Sequence, residues 1–497
     1  MKKYILYLFA IAAIAFTGCR KIETDGEIQV VIVNGGGGAT TGETITLQGR
    51  INADTILRKK NTYILKGLVY MVGNHTMTIE AGTTIKGSFS GADVAALIIT
   101  RGSKISAIGT ASEPIVFTSA SPNPQSGDWG GIVILGKAPV NTAFNGIAGL
   151  IQVEGGIDNA NGDGLGGSGD AVAPAPIAND NSGTLQYVRI EFAGYAFQPD
   201  KEINSLTLAA VGSGTTLDHI QVVYAKDDAY EWFGGTVNAK YLIAYKTQDD
   251  DFDTDNGYSG KVQFGLIIRD SLIADISSSE AFESDNNSSG TVITPKTTAV
   301  FSNITAIGPR ATLTNVGSTL FRGGTHIRRN SGISIFNSIF MGWPRGIEVD
   351  VSTGTWTALN IEDSTLRLRN ITVAGCGTNT RFSLPGTPPP TIPTNTVKDD
   401  ASFLDWMTKP FYGNDFLTNA SEANLIQPFN YSAPDPTPFG SGGSAAAIRI
   451  RTGGGFTDTK FTGDTFFDKT VTFRGGVAPA GELASWWKGW TKFNYNK

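Results

Sequence analysis

Two acidic clusters 22 positions apart hold the side chains best suited to chemistry: Asp227-Asp228-Ala229-Tyr230-Glu231 and Asp249-Asp250-Asp251-Phe252-Asp253. A looser copy, Glu280-Ala281-Phe282-Glu283-Ser284-Asp285-Asn286, follows 30 positions after Asp250, and a fainter one, Ala196-Phe197-Gln198, precedes them. The shared pattern is acid, small or acid, aromatic, acid or amide. Repetition at this period marks a solenoid, in which each repeat covers the apolar face of its neighbour. If each copy is one coil, Phe197, Tyr230, Phe252 and Phe282 stack as an aromatic ladder, with Gln198, Glu231, Asp253 and Glu283 as a polar ladder beside it. Neighbouring strands lie about 4.8 Å apart. Carboxylates at that spacing repel, so they must bind a cation, share protons or face water. Carboxylate oxygens suit calcium, and Glu231, Asp249, Asp250, Asp251, Asp253, Asp255 and Glu283 are the candidate ligands. Asp227, Asp228, Trp232 and Asn256 are candidates for touching a bound molecule, Trp232 by ring stacking, while the alternation turns Tyr230 inward. Lys226, Lys246 and Arg269 are the nearest candidate bases. A structural ion, a bridge to ligand, catalytic carboxylates and a corner bonded to water or backbone all fit this pattern.

The rest of the chain must supply the coils. Its 497 residues include 61 glycines and 21 prolines and are only 17% charged, which favours many turns and short strands over long helices. Short alternating runs closed by glycine begin at Ile45. The register can be checked at two other places. Residues 184–193 align with 216–225 at an offset of 32, with apolar residues coinciding at alternate positions. Asn303, Asn337 and Asn370 each stand five residues before a glycine, at Gly308, Gly342 and Gly375. These registers predict an all-β parallel β-helix. A net charge of −6 and a pI near 5.3 provide no general attraction to nucleic acid. His75, His219 and His326 fall in different repeats, which disfavours a zinc triad, and His326, Arg328 and Arg329 read as surface or turn residues.

The first residues set an expected compartment. Lys2 and Lys3, an apolar run over 4–16 and Thr17-Gly18-Cys19 read as a secretory signal too short for a comfortable membrane span. Small residues just before Cys19 resemble the bacterial lipobox, which implies a lipidated Cys19 at the mature N-terminus and an outer-membrane anchor. The acids that follow, Glu23, Asp25 and Glu27, resemble the surface-export signals of Bacteroidota lipoproteins. The only other cysteine is Cys376, so no intramolecular disulfide is available once Cys19 is consumed.

These features divide the chain into a signal peptide (1–18), a lipidated tether (19–44), a β-helix (45–376), a Pro/Asn-rich excursion (377–445), and terminal coils with an aromatic cap (446–497). A glycine-rich insertion interrupts the β-helix near 154–183. Its Asp158, Asn161 and Asp163 have the oxygen spacing of a calcium loop without the closing glutamate, and a loose surface excursion is expected. Asp399 to Met407 reads as a short capped helix, and Trp486, Trp487, Trp490 and Phe493 as a cover for the last open coil.

Several motifs carry a family resemblance: Thr78-Ile-Glu-Ala-Gly-Thr-Thr-Ile-Lys-Gly87, Ile98-Ile-Thr-Arg-Gly-Ser-Lys-Ile105, Glu113-Pro-Ile-Val-Phe-Thr-Ser119 and Asp128-Trp-Gly-Gly-Ile-Val-Ile-Leu-Gly136. Tyr187-Val-Arg-Ile-Glu-Phe-Ala-Gly194, Glu231-Trp-Phe-Gly-Gly-Thr-Val237, Asp250-Asp-Phe-Asp-Thr-Asp-Asn-Gly257 and Trp487-Lys-Gly-Trp-Thr-Lys-Phe493 continue it. Together they resemble a group of Bacteroidota lipoproteins that look like right-handed parallel β-helices. The resemblance implies fold and location and brings no catalytic residues with it. Pectate lyases of this architecture hold calcium on aspartates beside a Lys or Arg base. Polygalacturonases use three aspartates with a histidine, and their Gly-His-Gly and Arg-Ile-Lys signatures are absent here. The expected function is a non-catalytic surface lipoprotein that binds a glycan or other nutrient, or partners a TonB-dependent transporter. The alternative is a calcium-dependent polysaccharide lyase or glycoside hydrolase.

Overall fold

The computed structural model describes residues 42–497 apart from 199–200, 311–312, 315–316, 386–395 and 496–497, together with three short strands between 23 and 33. The expected signal segment and Cys19 lie outside the described residues. Part of the expected tether forms structure: Val31–Val33 pairs antiparallel with the next strand, Val31 opposite Thr46.

From Thr44 onward the chain winds as a right-handed parallel β-helix. One row of strands runs Ala96–Ile99, Gly131–Leu135, Leu206–Ala209, Tyr230–Phe233, Phe252–Asp255, Phe282–Ser284, His326–Ile327 and Arg345–Asp350, each in parallel register with the next. A second row of longer strands runs Gly183–Glu191, Thr216–Val223, Asn238–Tyr245, Lys261–Ile268 and Val300–Ile307. The 32-residue offset is the physical register: Leu185 lies against Leu217, Val188 against Ile220 and Ile190 against Val222, all buried. Tyr230, Phe252 and Phe282 stack as expected, and Glu231, Asp253 and Glu283 lie in register beside them. Phe197 and Gln198 do not join the ladder. Their strand folds back on Lys201–Glu202, and Leu206 and Thr207 precede Tyr230 and Glu231 instead.

One residue of positive φ bends each coil on this side, inside the long strands at Tyr187, His219, Tyr241, Phe264 and Asn303 and between short strands at Asn337 and Asn370. A left-handed side chain costs about 1–2 kcal/mol, and stacking offsets it. The rings of Tyr187 and His219 lie 4.3 Å apart, those of His219 and Tyr241 4.2 Å, and those of Tyr241 and Phe264 5.1 Å. Asparagine takes over where the rings stop, with Asn370 Nδ2 donating to Asn337 Oδ1 at 3.1 Å.

Two expected accessory segments behave differently. The glycine-rich insertion is fastened down: Tyr70 donates to the Ile157 carbonyl, Arg50 pairs with Asp163 at 2.8 Å, and Arg101 pairs with Asp170 at 2.7 Å. Asp158 accepts the Gly164 amide, so these acids make local bonds that hold the insertion in place. The aromatic tail does not close the last coil. Phe403, Trp406 and Met407, on the helix Asp400–Met407, close the core there beside Phe382. Residues 455–495 instead form a strap along the flank of the long strands. Three amide side chains each both donate to and accept from its backbone: Asn337 at Gly455, Gln263 at Asp468 and Gln221 at Lys492. Trp486 and Trp490 sit on the Tyr187–His219–Tyr241 stack, and Tyr495 donates to Glu191.

Candidate functional site

The acids gather where the chain turns into the Tyr230–Phe233 row of strands. A polar side chain at this corner accepts the backbone N–H of the following coil, from Asp228 to Asn204 at 3.3 Å, from Asp250 to Asp228 at 2.8 Å and from Glu280 to Asp250 at 2.6 Å. One oxygen of Asp228 and one of Asp250 are thus committed to holding the stack. Around this corner, carboxylate oxygens of Asp227, Asp228 and Asp249 lie within 4.8 Å of one another, as do those of Asp228, Glu231 and Asp253. A cleft of about 320 Å³ opens over the first group, lined by Glu154, Glu202, Lys226, Asp227, Asp249, Asp275, Ile276 and Ser277. Burial, reinforced by Glu202 and Glu154, pushes the Asp227 carboxyl up to about 8. Burial and neighbouring acids likewise raise Asp228, Glu231, Asp249, Asp250 and Asp253 well above the usual carboxylate range.

Further along the ladder the charge is balanced. Arg328 pairs with Glu283 and, at 2.9 Å, with Asp285, which Arg329 also holds at 2.6 Å. Arg322 bonds Glu348 at 2.8 Å. His326 lies in register between Glu283 and Glu348 and is 2% exposed. Burial opposes its charge, but Asp350, Glu280 and Glu283 prevail and raise it to about 10. Burial also opposes the charge of Glu283, yet His326 and Arg328 pull its pKa below the ordinary value.

A family model for a pectate-lyase-like β-helix domain matches residues 49–401, well over half of the chain. The chain belongs to that family. No curated protein matches the chain.

The expected site residues of this pectate-lyase-like β-helix separate by environment. Asp227, Asp228, Asp249, Glu231 and Asp253 converge on the corner, and an all-oxygen donor set with raised carboxyls fits calcium. Asp250 lies at the same corner with one oxygen bound to backbone. Asp255 lies further along its strand, raised to about 7 by burial and Asp285, and it accepts the Nδ2–H of Asn256 at 2.8 Å. Asn256 forms the left-handed turn there, with φ 53°. Glu283 belongs to the His326 and Arg328 group.

Four expectations are overturned. Asp251 is not a metal ligand: it points into the core, where its Oδ2 lies 3.0 Å from Arg269 Nε with both side chains fully buried. Arg269 is for the same reason no base. Its guanidinium donates to the carbonyls of Thr247, Asp249 and Glu280, fastening the acidic corner from inside. Trp232 is not a ligand platform. Two residues after Tyr230, it shares that residue's inward face, fully buried and stacked on Tyr258 at 5.3 Å. Lys246 is held by Asp270 at 3.0 Å, whereas Lys226 lines the acidic cleft. His326, Arg328 and Arg329, read as surface or turn residues, form the buried or half-buried counter-charges of the ladder.

Proposed function

We propose that this chain is a lipid-anchored surface protein of the Bacteroidota type that binds a glycan, without cleaving it, through calcium held at the acidic corner. The observation that carries the reading is the convergence of Asp227, Asp228 and Asp249 carboxylate oxygens within 4.8 Å of one another, beside a cleft that Asp275 and Lys226 also line. Acids so placed gain from a divalent ion, and an ion with unfilled positions can accept sugar hydroxyls or uronate oxygens. Asp227, Asp228 and Asp249 would hold it, with Glu231 and Asp253 as the adjacent donor group. The lipobox-like Thr17-Gly18-Cys19 supports the anchor. No helix among the described residues is long and apolar enough to cross a membrane. A TonB-dependent transporter is the partner that such a nutrient-binding anchor would serve.

The test is calcium titration by calorimetry, followed by binding to immobilised neutral and uronate-containing glycans with and without EGTA. Retention that needs calcium and is lost in Asp227→Asn/Asp249→Asn, with no product released, supports the reading. Retention indifferent to both EGTA and that variant defeats it. Lys226 in the same cleft favours one second reading, a calcium-dependent lyase in which Lys226 is the base. Release of unsaturated uronate, abolished by Lys226→Ala, would replace the binding reading with that one.

A further inference from the structure

Glu280, Glu283 and His326 form a cluster with a different donor set from the acidic corner. The His326 ring is fixed on one side, where Nε2 lies 3.0 Å from Asp350 Oδ2 in hydrogen-bond contact. Its other nitrogen, Nδ1, is buried and makes no hydrogen bond among the described residues. Nδ1 instead faces Glu280 Oε1 at 3.3 Å and Glu283 Oε2 at 3.8 Å. A charge-assisted N–H···O bond would close to about 2.7–2.9 Å. Donors about 2.0–2.2 Å from a tetrahedral zinc ion stand roughly 3.3–3.6 Å apart. Both gaps exceed a charge-assisted hydrogen bond; the 3.3 Å gap falls within the zinc range and the 3.8 Å gap lies just beyond it.

We propose that Glu280 Oε1, Glu283 Oε2 and His326 Nδ1 form a binding site for zinc or a similar divalent transition metal, with Asp350 orienting the imidazole through Nε2. Imidazole plus carboxylate is a donor set that suits such a metal; the ion would displace the Nδ1 proton while Asp350 keeps the other proton on Nε2. The surroundings accept added positive charge. Glu280, Glu283, Asp285, Glu348 and Asp350 face Arg322, Arg328, Arg329, Arg345 and a charged His326, so a divalent ion that displaces the Nδ1 proton adds one positive charge. Asp250 and Asp253 lie beside them on the previous coil. Three protein donors leave a fourth position for water or a ligand oxygen. Because Glu280 and Glu283 belong to one coil and His326 to the next, the ion would cross-link consecutive coils. This site does not depend on the calcium reading.

The test uses the full chain stripped with chelator and titrated with zinc chloride by calorimetry, with metal content measured after dialysis. One zinc per chain is expected. His326→Ala and Glu280→Gln should each weaken binding at least 100-fold, and Asp350→Asn about 10–100-fold as a positioning residue. Asp227→Asn/Asp249→Asn should leave zinc affinity unchanged, which separates this site from the calcium corner. Cobalt(II) on the unaltered chain should give the visible absorption of tetrahedral nitrogen–oxygen ligation, a readout that needs no variant to fold. A chain that takes up no zinc, binds it equally well as His326→Ala, or gives a hexa-aqua-like cobalt spectrum overturns the proposal.

Discussion

Without a bound cation, the acidic corner should make the fold sensitive to alkaline pH. Burial raises folded Asp227 to about 8, against about 3.9 in an unfolded chain. Between those values the folded state keeps a proton that the unfolded state has released, so stability falls as pH rises from about 4 to about 8. Each unit corresponds to about 1.4 kcal/mol, giving on the order of 5 kcal/mol for a fully dry carboxyl. Asp227 lines an open cleft, and water screening brings the expected loss to about 2–3 kcal/mol. Calcium at 100 times its dissociation constant should return about 2.7 kcal/mol. The assay is urea unfolding at pH 5, 6.5 and 8, in EGTA and in calcium. Curves in EGTA should shift to lower urea as pH rises, and calcium should reverse most of the shift at pH 8. Asp227→Asn/Asp249→Asn should flatten the pH dependence in EGTA. A midpoint that holds or rises from pH 5 to 8 in EGTA would refute the electrostatic account of the corner.

Arg269→Met strands Asp251 in the core and releases three carbonyls; it should cost about 3–5 kcal/mol in urea unfolding. Arg269→Met/Asp251→Leu should recover only part of that, because the carbonyls stay unbonded. Trp232→Ala empties a fully buried ring site and should cost about 3–5 kcal/mol. Glycan affinity of the folded fraction should stay unchanged, a result that a stacking role for Trp232 could not give. Cys376 is 6% exposed, and burial pushes its thiol up to about 11. A maleimide should therefore label it only at the rate of unfolding, measured by mass spectrometry across a denaturant series.

The coil register was legible because parallel stacking places chemically matched positions directly over one another. Offsets of 22 and 30 positions translate without slippage into Tyr230 over Phe252 over Phe282. The direction of single side chains was less accessible. Asp249, Asp250 and Asp251 look equivalent as text, yet one lines a cleft, one bonds backbone across the corner and one pairs with Arg269 in the core. For Trp232 the signal was present, since strict alternation from inward Tyr230 already turns it inward. His326 was missed for a different reason. It lies 43 positions after Glu283 although it is the next rung, because the loop between them is longer than those separating earlier rungs. A search for acids alone also passes over a rung where the residue type changes to imidazole.

The strap along the long strands sets a constraint on how the molecule comes into being. Trp490 and Tyr495 bond to Arg189 and Glu191 across sequence separations of 301 and 304 residues. A chain emerging from the ribosome therefore winds its early turns long before their outer covering arrives. Until then the Tyr187, His219 and Tyr241 rings stand bare, and so do the amide hooks of Gln221 and Gln263. Closure so distant in sequence is slow, and the waiting interval is when a holding chaperone would have an aromatic surface to grip.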